Sequence, residues 1–303
     1  MPASLTIQMQ RNTPGLPQSC RVFVPAAADS SWTLDPGPIL LVMVLAAVYT
    51  RRWLAVRGDG GPRGASAWRL AAWLAGCTVL LLALVSPIDR LGEQLFMMHM
   101  VQHVLLLDVA PILLLCGLTK VLLRPVTRRT LALEQSLGPF AHPAFAVVFY
   151  VAVMWVWHVP ALYDAALEHP TVHVLEHVVF MSAGLLYWWH LLSPVRTRID
   201  QRGMYPVVYM LSTKVLVGLL GIGLTFAPDA LYAFYEQQPE TWGLSATEDQ
   251  AAAGAVMALE QSIIMGIALT WLFVRALSES ERAQERADRL EDAEEQRAAA
   301  ARP

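Results

Sequence analysis

Charge is what this chain has least of. Only 16% of its 303 residues are Asp, Glu, Lys or Arg, against 55% that are hydrophobic, whereas soluble domains carry about a quarter charged residues. That scarcity excludes an ordinary solvated surface. The apolar residues fall in long blocks rather than alternating patterns, which reads as membrane spans. Cysteine is scarce as well: Cys20, Cys77 and Cys116 stand far apart and form no C-x-x-C. A disulfide framework, a zinc-finger-like site and a thiolate copper chaperone are therefore unsupported. Residues 1–38 hold no apolar stretch of the kind a signal peptide needs, and no internal repeat points to an inverted-repeat transporter. The net charge of −3 decides little, because the position of the charges matters more than their sum.

What is present is seven hydrophobic segments, each near the length that crosses a hydrocarbon core about 30 Å thick. They run Pro38–Val56, Trp68–Val85, Glu93–Leu118, Ala144–His158, Val172–Leu192, Tyr205–Phe226 and Ala251–Ala276, the first and fourth being the shortest. The expected fold is an all-α polytopic membrane protein, a seven-transmembrane-helix bundle. Three regions follow: a flexible extracytoplasmic tail (1–36), with Trp32 at the membrane interface, the bundle (37–276), and a charged, solvated cytoplasmic helical tail (277–303). Loop charges set the orientation. Arg51, Arg52, Arg57, Arg63 and Arg69 lie between the first two segments, Lys120, Arg124, Arg128 and Arg129 after the third, and Arg196, Arg198 and Arg202 after the fifth. The alternate loops hold one basic residue, Arg90, against acids such as Asp164, Glu168, Asp229, Glu236, Glu240, Glu248 and Asp249. By the positive-inside rule the N-terminus is outside and the C-terminus cytoplasmic.

Five of the eight histidines then collect at the outer end of the bundle. His99 and His103 stand i, i+4 on one segment, His173 and His177 on another, and His158 closes the segment between; each pair shares a helix face. Ionisable groups in a membrane are costly and usually functional, so these five are candidate metal ligands. Met97, Met98 and Met100 flank the first pair, and thioethers select Cu(I), although methionine is also ordinary core filler. Glu176, beside the second pair, suits an outer acceptor that orients an imidazole. His169 belongs to the loop before Pro170, and His142 and His190 lie toward the cytoplasmic side. Deeper in the spans, Lys214 and Glu260 share a depth and are expected to form an intramembrane ion pair. Asp108, about 140° around its helix from His103, is a further candidate partner for Lys214.

Taken in order, four motifs resemble the seven-span CtaG-type cytochrome c oxidase assembly family described from Bacillus. They are H-M-V-Q-H at His99–His103 with Ala110-Pro111 following, W-H-V-P-A-L-Y at Trp157–Tyr163, H-V-L-E-H at His173–His177 with Trp188-Trp189, and D-Q-A-A-A-G-A-V-M at Asp249–Met257. The resemblance spans roughly residues 31 to 276 and implies a non-enzymatic assembly factor in a bacterial cell (inner) membrane. Its cargo would be copper, as Cu(I), bound at the outer face and delivered to the binuclear centre of the oxidase catalytic subunit. The implied partners are that subunit, a copper chaperone and the lipid bilayer, with no nucleic acid. Carried onto this chain, the ligands are His99, His103, His158, His173 and His177, with Met100 and Met257 as soft ligands. Glu176, Asp249 and Gln250 would be polar residues of the outer mouth or helix caps. Two other readings stay open on the residues alone: a haem protein with bis-histidine ligation, and a zinc-dependent intramembrane hydrolase, ranked last because no base stands beside a nucleophile.

Overall fold

A computed structural model of the chain describes residues 27–61, 64–195 and 204–300, and all of its regular elements are helices. The expected tail before residue 27, Cys20, Arg63, Arg196, Arg198 and Arg202 lie outside the described residues. Proline opens many of the helices, because its fixed φ and missing N–H suit a first turn that has no intrahelical acceptor to reach. Helix α1 (Pro36–Gly60) begins this way. After α2 (Ala67–Val85), the short α3 (Pro87–Gly92) starts on a proline capped by Ser86, whose Oγ accepts from the Ile88 amide at 3.2 Å. Helix α4 is Phe96–Gly117, followed by α5 (Lys120–Leu123) and α6 (Thr127–Leu137). A 3-10 turn at Gly138–Ala141 leads into α7 (Pro143–Trp157), capped by His142, whose Nδ1 accepts from the Ala144 amide at 3.1 Å. Prolines also open α8 (Pro160–Glu168) and α9 (Pro170–Leu192). The chain ends with α10 (Tyr205–Thr225), α11 (Ala233–Glu236) and α12 (Ala246–Ala300).

All seven expected segments are helical. Among the described residues five helices are long and apolar enough to cross a membrane: α1, α2, α4, α10 and α12. The fourth segment, α7, has only 15 residues, about 22 Å of rise, and counts as a sixth crossing if joined to Gln135–Ala141, from which it is bent by 60°. Helix α9 has 23 residues, but His173, Glu176, His177 and His190 lower its hydropathy. The chain is therefore a multi-pass membrane protein in which one long helix has exchanged apolar character for polar side chains. Helix α1 is longer than expected, at 25 residues. The last segment does not stop near Ala276 but continues as one helix of 55 residues, with the described side chains from Glu281 onward exposed.

Packing is organised around α4. Its first half contacts α12, its second half α2 and α9; α9 also packs on α7, α10 packs on α7 and α12, and α1 lies against α2. Midway, at Leu105–Val109, α4 opens into a π turn, in which the Ala110 amide reaches back five residues to the Leu105 carbonyl. Pro111 gives the cause: without an N–H it cannot bond the Leu107 carbonyl, and the regular ladder fails at that point. Helix α9 crosses here through Gly184, where any Cβ would overlap the Leu107 carbonyl oxygen. Glycine is required for the close approach. Beside the crossing, Tyr150, Tyr187 and Trp188 are fully buried and form the centre of the largest core cluster.

Gly184→Ala should accordingly destabilise the purified protein by about 3 kcal/mol, the upper range for overpacking. Gly218→Ala, where a Cβ meets nothing within 4 Å, should show no loss. Thermal unfolding of both variants in detergent checks the contrast.

Candidate functional site

The crossing of α4 and α9 brings the two histidine pairs together. On α4, His99 and His103 lie one turn apart with ring centroids 4.2 Å from each other; on α9, His173 and His177 do the same at 4.2 Å. Across the helix interface His99 is 5.4 Å from His173, and His103 is 6.0 Å from His177. Glu176 joins the second pair on one face, since positions i, i+3 and i+4 fall together on a helix. Its carboxylate lies between the pairs, with Oε2 3.6 Å from His99 Nε2 and Oε1 3.6 Å from His103 Nε2. Two groups result, His99–His103–Glu176 and His173–Glu176–His177, each with ligand atoms within 4.8 Å of one another.

The electrostatics of this cluster are unusual. His99, His103 and Glu176 are buried, Glu176 to 0% exposure. Neither Glu176 oxygen has a hydrogen-bond partner, nor do both nitrogens of His103 or Nε2 of His99, His173 and His177. Buried polar atoms are nearly always paired, and an unpaired buried carboxylate is especially costly. The 3.6 Å separations are too long for hydrogen bonds. They are close to the distance of about 3.4 Å between two ligands of one tetrahedral ion bound at 2.0–2.1 Å. The donors thus form two triads that share Glu176, a set that fits one cation in either triad or two cations bridged by its carboxylate.

A frame of hydrogen bonds holds the cluster. Gln102, between the two α4 histidines, donates through Nε2 to the Ala83 carbonyl and to Asp89 Oδ1, both at 2.8 Å. In this loop helix, burial holds the Asp89 carboxyl above its usual range despite the bond from Gln102. Asp249 caps the start of α4 from another helix, accepting from the Phe96 amide at 2.6 Å and the Met97 amide at 2.9 Å. Gln250 binds the Leu231 amide at 2.8 Å and the Asp229 carbonyl at 3.2 Å. Both residues are buried clamps rather than parts of an open mouth. Above them Phe96, Tyr163, Tyr232 and Tyr235 stack edge and face. Tyr235 donates to the Gly92 carbonyl at 2.7 Å and Tyr232 to the His158 carbonyl at 3.2 Å, and burial raises both phenols so that they stay neutral donors.

Several expectations change. His158 does not join the cluster: its Nδ1 is 2.6 Å from the Met154 carbonyl and its Nε2 3.3 Å from Met100 Sδ, and Tyr163 stands between it and His99, 5.9 Å from the one ring and 5.2 Å from the other. Met100 consequently turns its sulfur to His158, and Met257 lines a small cavity beside His103. Glu176, expected at the mouth, is the centre of the cluster; the H-x-x-E-H spacing carried that signal. The Lys214–Glu260 ion pair is not formed within 4.0 Å among the described residues. Glu260 instead accepts from Gln261 Nε2 at 2.7 Å, and Lys214 acts on it only at longer range. Asp108 takes its partners from elsewhere, Tyr150 donating to its two oxygens at 3.0 and 2.8 Å and Trp188 Nε1 at 2.7 Å. His169 is exposed at the cap of α9, and His142 and His190 stay apart from the cluster. Tyr163 and Met154 were not anticipated; Tyr163 lay inside a quoted motif, whereas nothing distinguishes Met154 from core packing in sequence.

Comparison with known proteins is informative at the family level. A family model described as cytochrome c oxidase caa3 assembly factor matches residues 47–279. An uncharacterised Mycobacterium leprae protein, ML1998, is 24% identical over 286 residues, covering 86% of this chain and 42% of its own length. An uncharacterised Mycobacterium bovis protein, Mb0105, is 26% identical over 244 residues, covering 74% of this chain and 36% of its own. The chain thus spans about two fifths of the length of these relatives. No solved structure matches.

Because Asp249 supplies two buried charge-assisted bonds to the first turn of α4, Asp249→Ala should cost about 2 kcal/mol, the upper end for a lost helix cap. The loss is read as a lowered unfolding temperature in detergent, with Glu281→Ala, exposed on the far part of α12, as the control that changes little.

Proposed function

The chain belongs to the cytochrome c oxidase caa3 assembly factor family, and we propose that it binds copper between α4 and α9 and passes it to the binuclear centre of the oxidase catalytic subunit. The observation that carries this reading is the Glu176 carboxylate, buried among four imidazoles with no hydrogen-bond partner for either oxygen. A cation in either triad, or two bridged by Glu176, supplies the partner these groups lack. Imidazole and carboxylate accept copper, zinc and iron alike; the assembly role of the family favours copper. Copper here is cargo, so the protein is not an enzyme. His99, His103, His173 and His177 bind the ion, Glu176 neutralises its charge, and Gln102 and Asp249 hold α4 in register. The imidazoles pack at 4.2 Å within each pair, edge to face on α4 and tilted on α9, which favours a bare ion over a porphyrin between them.

In this reading the seven helices cross the bacterial inner membrane seven times, with the N-terminus outside and the cytoplasmic end carrying the charged part of α12. Support for the orientation comes from the basic residues of alternate loops, among them Arg51, Arg52, Lys120 and Arg124. The cluster then lies toward the outer face, where a copper chaperone supplies the ion and the oxidase subunit receives it.

Metal analysis of detergent-purified protein tests the proposal. Wild type should retain copper, and the double variant His99→Ala/His103→Ala should lose it. Glu176→Gln should weaken binding by at least roughly tenfold, the lower range for altering a metal site's polar support. In cells, the double variant should leave the oxidase catalytic subunit short of copper. A wild-type protein without copper affinity, together with normal oxidase assembly in the double variant, would sink the proposal; a Soret band would turn it toward haem.

A further inference from the structure

Inward of the histidine cluster, α4, α7, α10 and α12 enclose a small cavity of about 10 Å³, room for a single water-sized occupant. Three methionines line it, Met100, Met154 and Met257, each from a different helix, together with His103. His103 therefore faces two ways: its Nε2 lies 3.6 Å from Glu176 in the cluster, while its ring forms part of the cavity wall and its Nδ1 has no hydrogen-bond partner. At the other side the cavity meets Asp108, Glu260 and Gln261. Asp108 is fully supplied by Tyr150 and Trp188. Glu260, 6% exposed, is not: Gln261 donates to Oε2, and Oε1 has no partner, nor does Gln261 Oε1.

We infer that this cavity is a second copper position, selective for Cu(I), which shares His103 with the histidine cluster and lies inward of it. It rests on the copper reading above and extends it from one site to two. The Met100 sulfur is held by His158 Nε2 at 3.3 Å; Met154 and Met257 leave a wall that is poor for water or a hard cation, and thioether softness suits Cu(I). A plain hydrophobic void would have no unpaired carboxylate oxygen in its wall. The unpartnered Glu260 oxygen gives the cavity an oxygen ligand beside the methionines. Passage between the positions is ligand exchange on Cu(I), with thioethers replacing imidazoles around a shared His103, and no electron is gained or lost. The size of the cavity excludes any organic cofactor.

The experiment is anaerobic Cu(I) titration of the full chain in detergent, read by bound equivalents and by X-ray absorption at the copper edge. Wild type should take up two equivalents with sulfur in the coordination shell. Met154→Leu/Met257→Leu, which conserves volume and fold, should lose one equivalent together with the sulfur signal. Glu176→Ala/His177→Ala should lose the other and keep the sulfur. One equivalent bound by nitrogen and oxygen alone in wild type, or an unchanged titration in the methionine variant, overturns the second position while leaving the first. No bound copper in wild type overturns both.

Discussion

Pro111 has no amide hydrogen, and much of the molecule follows from that missing donor. The Leu107 carbonyl loses its regular partner, α4 relaxes into a π turn over Leu105–Val109, and α9 closes on the disturbed segment through Gly184. The approach is tight enough to set the relative height of the two helices. Because the histidine pairs sit one to two turns from that crossing on α4 and two to three turns from it on α9, their heights are set with it. A residue added to one turn also changes the phase of everything beyond it. In a regular helix Asp108 would lie about 140° from His103; a π turn lets residues five apart occupy nearly the relation of residues four apart. His103 and Asp108 therefore line the same cavity.

The interior contains two kinds of polar group. Asp108, Asp249 and Gln250 are buried and have hydrogen-bond partners, as has the Gln102 Nε2; they join helices. Glu176, His99, His103 and Glu260 are buried and have polar atoms without partners, and so has the half-buried His177. In a low-dielectric interior the first kind adds rigidity and the second is costly unless something arrives to meet it. Rigid clamps surrounding unpaired donors are what a binding site needs in order to stay open between visits of its ion.

Much of the fold was legible because membrane helices carry strong signals: all seven apolar segments are helices, and proline marks the starts of α1, α7 and α9 close to where the hydropathy placed them. The histidine pairs were legible for the same reason, being i, i+4. What periodicity could not reveal was any interruption of itself. The phase of Asp108 was misjudged because the π turn depends on Pro111 and on the neighbour at Gly184 together. The Lys214–Glu260 pair was inferred from depth alone, and depth does not fix the rotation of two helices about their axes. His158 shared a level with the other histidines but not a direction, since Met154 and Met100 hold its two nitrogens. Among the described residues five helices rather than seven meet the bare requirement of length and apolarity, since α9 carries His173, Glu176, His177 and His190.

Helix α12 is continuous from Ala246 to Ala300, a rod about 80 Å long. Near its start Asp249 grips the first turn of α4; two turns on, Met257 and Glu260 face the methionine cavity; its far end projects as a charged, exposed stretch. No glycine–proline break separates these regions. A tilt or rotation imposed on the projecting end is thus a tilt or rotation of the clamp and of the cavity wall, a mechanical linkage between the two sides of the bilayer that requires no moving loop.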